Sequence, residues 1–295
     1  MGLLWATSYP FGRYLAPYEA PQAIVVVRAF IGFLFLLTIA VYRNQARIEL
    51  SPRVLGQLVV LGISGICLHN FLLFEALEHT QANTGAVING AIPIAVMVLD
   101  FVIFRRAIAR WSVFAVALSF VGTAVVISHG DLVSLISGKI GYGEQLFLIA
   151  ISAWAVYTIV ARPLLEHYAA TTVSAYACLA GTLLMTPWML TNLDATITIL
   201  SDPNIVLLLI VQGLLTIGVG FLWYYEGVQQ LGPMNASVYI NLVPIFGVIL
   251  AAVTLGEIPD TALLIGGSLV VGGLVLVNYA ERRRAQKLTE LPHTS

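Results

Sequence analysis

The chain writes one stretch twice, and the second copy keeps the register of the first. The first copy begins at Phe74-Glu75-Ala76-Leu77, runs through Asn89-Gly90-Ala91-Ile92-Pro93-Ile94 and reaches Gly122. The second begins at Tyr225-Glu226-Gly227-Val228, runs through Ile240-Asn241-Leu242-Val243-Pro244-Ile245 and reaches Gly273. Glu75 and Glu226, Pro93 and Pro244, and Gly122 and Gly273 are each 151 residues apart (226 − 75, 244 − 93, 273 − 122). Val87/Val238, Val102/Val253 and Leu118/Leu269 keep the same offset. A gap-free duplication across two apolar segments, with a proline inside the first of each pair, predicts a fold of two like halves.

Those segments need a nonaqueous solvent. Hydrophobic residues make up 59% of the chain and charged residues 10%, against about a quarter charged in ordinary soluble domains. Such a chain cannot cover its own surface with polar groups, so lipid must do part of that work. The formal net charge of −1 matters less than where the charges sit. Cys67 and Cys178 lie inside apolar segments, without disulfide or metal spacing, and read as small buried hydrophobes. Met1-Gly2-Leu3-Leu4-Trp5 lacks the basic start of a cleavable signal, and Ala6 at the sixth position argues against myristoylation.

Apolar runs measured against the roughly 20 residues that cross a bilayer predict ten helices. They cover 2–16, 21–42, 54–77, 82–104, 111–129, 143–164, 171–191, 204–228, 233–255 and 260–280. Breakers stand between them, among them Ala20-Pro21, Ser51-Pro52, Asp202-Pro203 and Gly232-Pro233. Loops are expected near 130–141 and 192–203, and a short polar cytoplasmic tail at 282–295. Arg43, Arg47, Arg53, Arg105, Arg106, Arg110, Arg162 and Arg282 to Arg284 with Lys287 all fall on one side of a ten-helix topology, whereas the other side has Arg13 and Lys139. The positive-inside rule makes the first side, with both termini, cytoplasmic.

Five helices per half, 1–130 and 142–281, is an odd number, so the second half enters the membrane from the opposite face. The expected fold is therefore all-α, with two inverted five-helix repeats around a central cavity. Trp5-Ala6 followed by Arg13 pairs with Trp154-Ala155 followed by Arg162, at an offset of 149 (154 − 5). The sixth segment has about ten apolar or neutral residues before its tryptophan, whereas the first has four before Trp5. Either the sequence is trimmed at its start or the first helix crosses incompletely.

The run from Phe74-Glu75-Ala76-Leu77 to Pro93 resembles the EamA-type half of the drug/metabolite transporter superfamily. So does Trp223-Tyr224-Tyr225-Glu226 to Pro244, together with Leu255-Gly256-Glu257, and Arg28 matches the family's arginine early in the second helix. The pattern is similar to bacterial exporters of amino acids, aromatic ones included. The resemblance implies ten helices in an inverted 5+5 arrangement, a central substrate cavity and alternating access. It departs at Arg105-Arg106, where many relatives carry the Gly-Glu kept here at Gly256-Glu257.

A transport site needs polar or aromatic groups at membrane depth beside irregular backbone. Pro93 and Pro244 each leave a carbonyl one turn back without its helical partner, and Asn89 and Asn241 stand near those carbonyls with a donor and an acceptor to offer. The alternative is a packed kink with the amides bonded between helices. Trp5, Tyr9, Trp154 and Tyr157 supply an aromatic wall, unless they form an interfacial belt. Tyr224, Tyr239 and Phe74 extend that wall. His69 and Asn70 lie deep in the third segment, where a histidine needs a partner or water. Glu75 and Glu226 sit near opposite faces as gate residues or snorkelling acids, with Pro93 and Pro244 as hinges.

No Walker motif, His-Glu-x-x-His pair or Gly-x-Ser-x-Gly elbow occurs, which disfavours an ATPase or a membrane enzyme. No ring of like charge points to a channel. Within transporters, a nucleotide-sugar carrier would need intramembrane cations for phosphate, and apart from Arg13 and Arg28 the spans lack them. The expected partners are a small-molecule substrate and the lipid bilayer, with no cofactor, metal or nucleic acid. The chain is read as a monomer of the bacterial inner membrane.

Overall fold

A computed structural model of the protein describes residues 1–105, 110–131 and 140–289, with some side chains inside those ranges, Asn241 among them, outside the description. Arg106 and Lys139 also lie outside it. Among the described residues every regular element is helical. Lipid offers no partner to backbone N–H and C=O groups, so an apolar chain satisfies them within its own helices. Starts are set locally. Pro21, Pro52 and Pro203 occupy first turns, where a missing N–H costs nothing, and the Asp202 carboxylate accepts from Asn204 N at 2.8 Å.

Among the described residues, five helices are long and apolar enough to cross a membrane: Pro21–Tyr42, Pro52–His79, Ala82–Phe104, Tyr142–Leu165 and Pro203–Leu231. Ala170–Met189 meets the same test only together with Leu193–Ser201, from which it is bent by 114°. Shorter apolar helices cover Ala117–Ile127, Leu242–Leu255 and Thr261–Gly273. The chain opens with Gly2–Ala6 and Ser8–Leu15, parted at Thr7.

Two sequence expectations need correction. The region 192–203 is not a loop, because Leu193–Ser201 is a helix after the sharp turn at Leu190–Asn192. The last helix, Thr261–Thr289, runs past 281, so no backbone break separates the tail there. Apolar periodicity located neither feature, since both segments carry few of the long hydrophobic runs on which it relies.

The long helices also have internal irregularities. Gly62–Leu68 and Gly213–Val219 are π-helical turns, 151 residues apart at both ends (213 − 62, 219 − 68). Before Pro93 the helix tightens, with Gly90 N donating to Val87 O at 3.0 Å and Ala91 N to Ile88 O at 2.9 Å. Before Pro244 the backbone is a 3-10 turn, Val238–Asn241. The 82–104 helix therefore tightens at its proline and continues as one apolar span.

Helices from the two halves of the chain pack reciprocally. A Cβ on Gly122 would lie 2.6 Å from Gly266 O, and one on Gly273 would lie 2.6 Å from Ala115 O. These contacts exchange under the same offset (273 − 122 and 266 − 115 are both 151). Ser119 Oγ donates across this seam to Val270 O at 3.2 Å, and those residues too are 151 apart. Such exchange is the contact pattern of a two-fold relation. A side chain at either glycine would push backbone from backbone.

Candidate functional site

The centre of the bundle is an aromatic cluster with a small cavity of mixed lining beside it. Trp154 meets Trp5 at 5.2 Å between ring centroids, His69 at 4.6 Å, Tyr157 at 5.0 Å and Phe221 at 5.3 Å. Tyr157 stacks on Tyr225 at 4.9 Å and lies against Gly65, where a side chain would occupy its ring. Thr158 donates to Trp154 O at 2.9 Å, which leaves its oxygen to accept from Tyr224 at 2.7 Å.

The π turns connect the backbone to this cluster. A π turn shifts the usual helical ladder and frees carbonyls along it. Thr216 O accepts from Trp5 Nε1 at 2.9 Å. Gly65 O, 151 residues earlier (216 − 65), accepts from Asn70 Nδ2 at 2.7 Å. Each π turn thus fixes the orientation of one cavity-lining side chain.

The cavity measures about 30 Å³. Trp5, Tyr9, His69, Asn70, Asn89 and Trp154, all expected from the sequence as site residues, share its lining with Ser8, Arg28, Thr216 and Phe221. His69 Nδ1 stands 2.9 Å from Ala150 O. A carbonyl only accepts, so Nδ1 carries a hydrogen and donates it. Asn89 Oδ1 and the Tyr9 hydroxyl are buried without a hydrogen-bond partner among the described residues.

Other expected residues lie elsewhere. Phe74 is buried beneath the Arg28 guanidinium, with the ring centroid 4.7 Å away. Tyr157 belongs to the aromatic cluster but not to the cavity wall. Tyr224 and Tyr239 line a second, larger cavity of about 230 Å³ with Met1, Trp223 and Leu242. The Asn241 side chain lies outside the described residues. Pro93 is buried, and Pro244 packs against Gly90, where a Cβ would meet its ring at 2.6 Å. Glu75 and Glu226 occupy opposite ends of the bundle. Glu75 lies 3.7 Å from His79 Nε2, and Glu226 lies 3.5 Å from Arg43 Nη1.

The two ends are closed differently. Opposite the N-terminus, Glu257 accepts from Ala82 N at 3.1 Å and Asn83 N at 3.0 Å, a carboxylate set on a helix start. Arg13 donates there to Leu77 O at 2.9 Å, and Thr80 to the buried Glu144 at 2.6 Å. The N-terminal end has the larger cavity and the partly exposed Arg43–Glu226 pair. The sequence reading did not place Arg28, Ser8, Thr216 or Phe221 in the lining. An arginine inside an apolar span was the available signal; the others carry no periodicity that marks them.

The chain matches the EamA-like transporter family over residues 1–128 and 141–279. An uncharacterized transporter of Archaeoglobus fulgidus is 29% identical over 285 residues, 95% of this chain and 96% of its own. A probable terminal-alkyne amino-acid exporter of Streptantibioticus cattleyicolor is 27% identical over 230 residues, 77% of this chain and 74% of its own. A solved crystal structure, 19% identical, covers 96% of this chain and 95% of its own with a TM-score of 0.67, a likeness of fold alone. With its membrane-length helices and a family match in both halves, the chain is an integral membrane protein that belongs to the EamA-like transporter family.

Proposed function

We propose that the protein is a secondary transporter that exports amino acids, aromatic and other neutral ones foremost, with related metabolites or drugs, across the bacterial inner membrane. It is not an enzyme. One observation carries this reading: aromatic faces and unpaired polar groups meet in one cavity at the bundle centre. Trp5 and Trp154 suit an apolar side chain, while Asn89 and His69 offer hydrogen bonds to a polar head. The probable amino-acid exporter among its relatives supports the same substrate class.

A cavity of about 30 Å³ holds about two waters, less than an amino acid requires. Substrate therefore enters a more open arrangement, and transport proceeds by alternating access. Two inverted five-helix repeats, 1–130 and 142–281, would rock about the cavity with Pro93 and Pro244 as hinges. Reciprocal contacts at the 151-residue offset support that division. The basic residues put both termini in the cytoplasm, so the larger cavity faces inward and the Glu257 clamp lies outside. The protein acts as a monomer.

The test is uptake and efflux in proteoliposomes with phenylalanine, tryptophan, methionine and threonine, with and without a pH gradient. Transport of at least one is expected. An intact, folded preparation that moves none of them overturns the amino-acid reading.

A further inference from the structure

We propose that Arg28 is the anchor for a carboxylate on the transported molecule and that Asn89 takes the ammonium of the same zwitterion. This rests on the transport reading above. Arg28 is 2% exposed, two turns into the apolar helix Pro21–Tyr42. Among the described residues its hydrogen bonds all leave from Nη2: to Thr216 Oγ1 at 2.6 Å, Ser8 Oγ at 3.2 Å and Gln212 Oε1 at 3.5 Å. Nε and Nη1 are buried with no hydrogen-bond partner among the described residues. These atoms keep three of the five guanidinium N–H donors unused. The Phe74 and Phe11 rings lie under the charge at 4.7 Å and 5.8 Å, which holds the cation in place without neutralising it.

Arg28 makes no ion pair with a described acid. A buried cation with spare donors and no counter-ion is costly to keep. Its side chain lines the central cavity, so an anion entering there supplies the missing charge and fills the donors. Charge number favours a carboxylate over a phosphate. Arg28 is the one cation among the lining residues, and Arg13 is engaged at the outer end with Leu77 O and Glu78 O. One guanidinium matches a monoanion.

The other end of the ligand is set by Asn89. Its Oδ1 is a buried acceptor without a partner among the described residues, in the wall of the same cavity. An ammonium is the complement of such a group, and the Trp5 and Trp154 faces add cation–π attraction. A cationic drug without a carboxylate would instead bring a like charge toward Arg28 and be disfavoured.

The test measures binding by ligand-induced thermal shift and transport in proteoliposomes. The probes are L-phenylalanine, phenethylamine, which lacks the carboxylate, and 3-phenylpropionate, which lacks the ammonium. Wild-type protein is expected to bind phenylalanine about 10- to 100-fold more tightly than phenethylamine, the range of a charge-assisted hydrogen bond. Arg28→Gln should remove that preference and Arg28→Lys restore part of it. Asn89→Leu should bring phenylalanine down to the level of 3-phenylpropionate. Thr216→Val, which leaves the charge but frees Nη2, provides a milder variant should Arg28→Gln not fold. It should weaken phenylalanine more than phenethylamine. Wild-type protein that takes phenylalanine and phenethylamine equally overturns the anchor and leaves the amino-acid reading standing. A folded Arg28→Gln or Thr216→Val variant with wild-type preference does the same. Wild-type protein that takes none of the three, nor methionine or threonine, overturns both.

Discussion

Trp5 and Trp154 stand 149 residues apart in the sequence (154 − 5) and meet edge to face at the bundle centre, with ring centroids 5.2 Å apart. Trp154 is 2% exposed and touches five other rings. It is at once core and cavity wall. Truncation to alanine should cost about 3–5 kcal/mol by the loss of a large buried aromatic, read as a lowered midpoint in thermal melts. The phenylalanine-induced shift should vanish as well. Trp154→Phe should retain the fold and alter which side-chain sizes are transported.

Glu257 joins the 233–255 region to the start of the 82–104 helix through two backbone amides. A carboxylate on a helix N-terminus is stabilised by both charge-assisted bonds and the helix dipole. Glu257→Gln weakens both terms. With about 1.4 kcal/mol lost, the balance between the closed and open outer end moves about tenfold. The expected outcome is faster reaction of a cysteine placed at Leu73, in the cavity wall, with an impermeant maleimide added from outside. An unchanged labelling rate would exclude a gating role for the clamp.

Gly213 opens the second π turn and faces the 21–42 helix. A Cβ there would meet Ile31 Cβ at 2.8 Å and Arg28 O at 3.0 Å. Both are on or beside backbone that cannot rotate away. Gly213→Ala should therefore cost about 1–3 kcal/mol by overpacking. It should also pull Thr216 from Arg28, so substrate binding weakens beyond the loss of stability. Thermal melts with and without phenylalanine separate the two effects.

The Arg43–Glu226 pair spans 3.5 Å, with side chains 49% and 35% exposed. Exposed pairs contribute about 0–1 kcal/mol because water and salt screen them. Arg43→Ala should change the melting midpoint by no more than that allows. If the pair closes the inner end, the same variant should speed transport at low salt and match wild type at high salt.

Periodicity and length alone place the apolar helices before the last one within a few residues of their observed bounds, because backbone in lipid has few alternatives to a helix. The doubled stretch was legible for the same reason that the π turns were not. Glycine, proline and glutamate at fixed spacing leave a mark in the letters. The widened turns at Gly62–Leu68 and Gly213–Val219 arise where glycine backbones approach neighbouring helices, a contact that no single helix specifies.

The sequence by itself determined a helical membrane protein with duplicated segments, since composition forces lipid contact and the offset of 151 admits no other register. It also marked Trp5, Trp154, Asn89 and His69 as candidate lining, by polarity and ring content at membrane depth. Only the tertiary structure decided which of these meet. Tyr239 lies in the recess at the N-terminal end, whereas Arg28, Ser8 and Thr216 join the central cavity. The reason is geometric. Cavity membership depends on the rotation and crossing of several helices at once, and a π turn resets that rotation partway along a span.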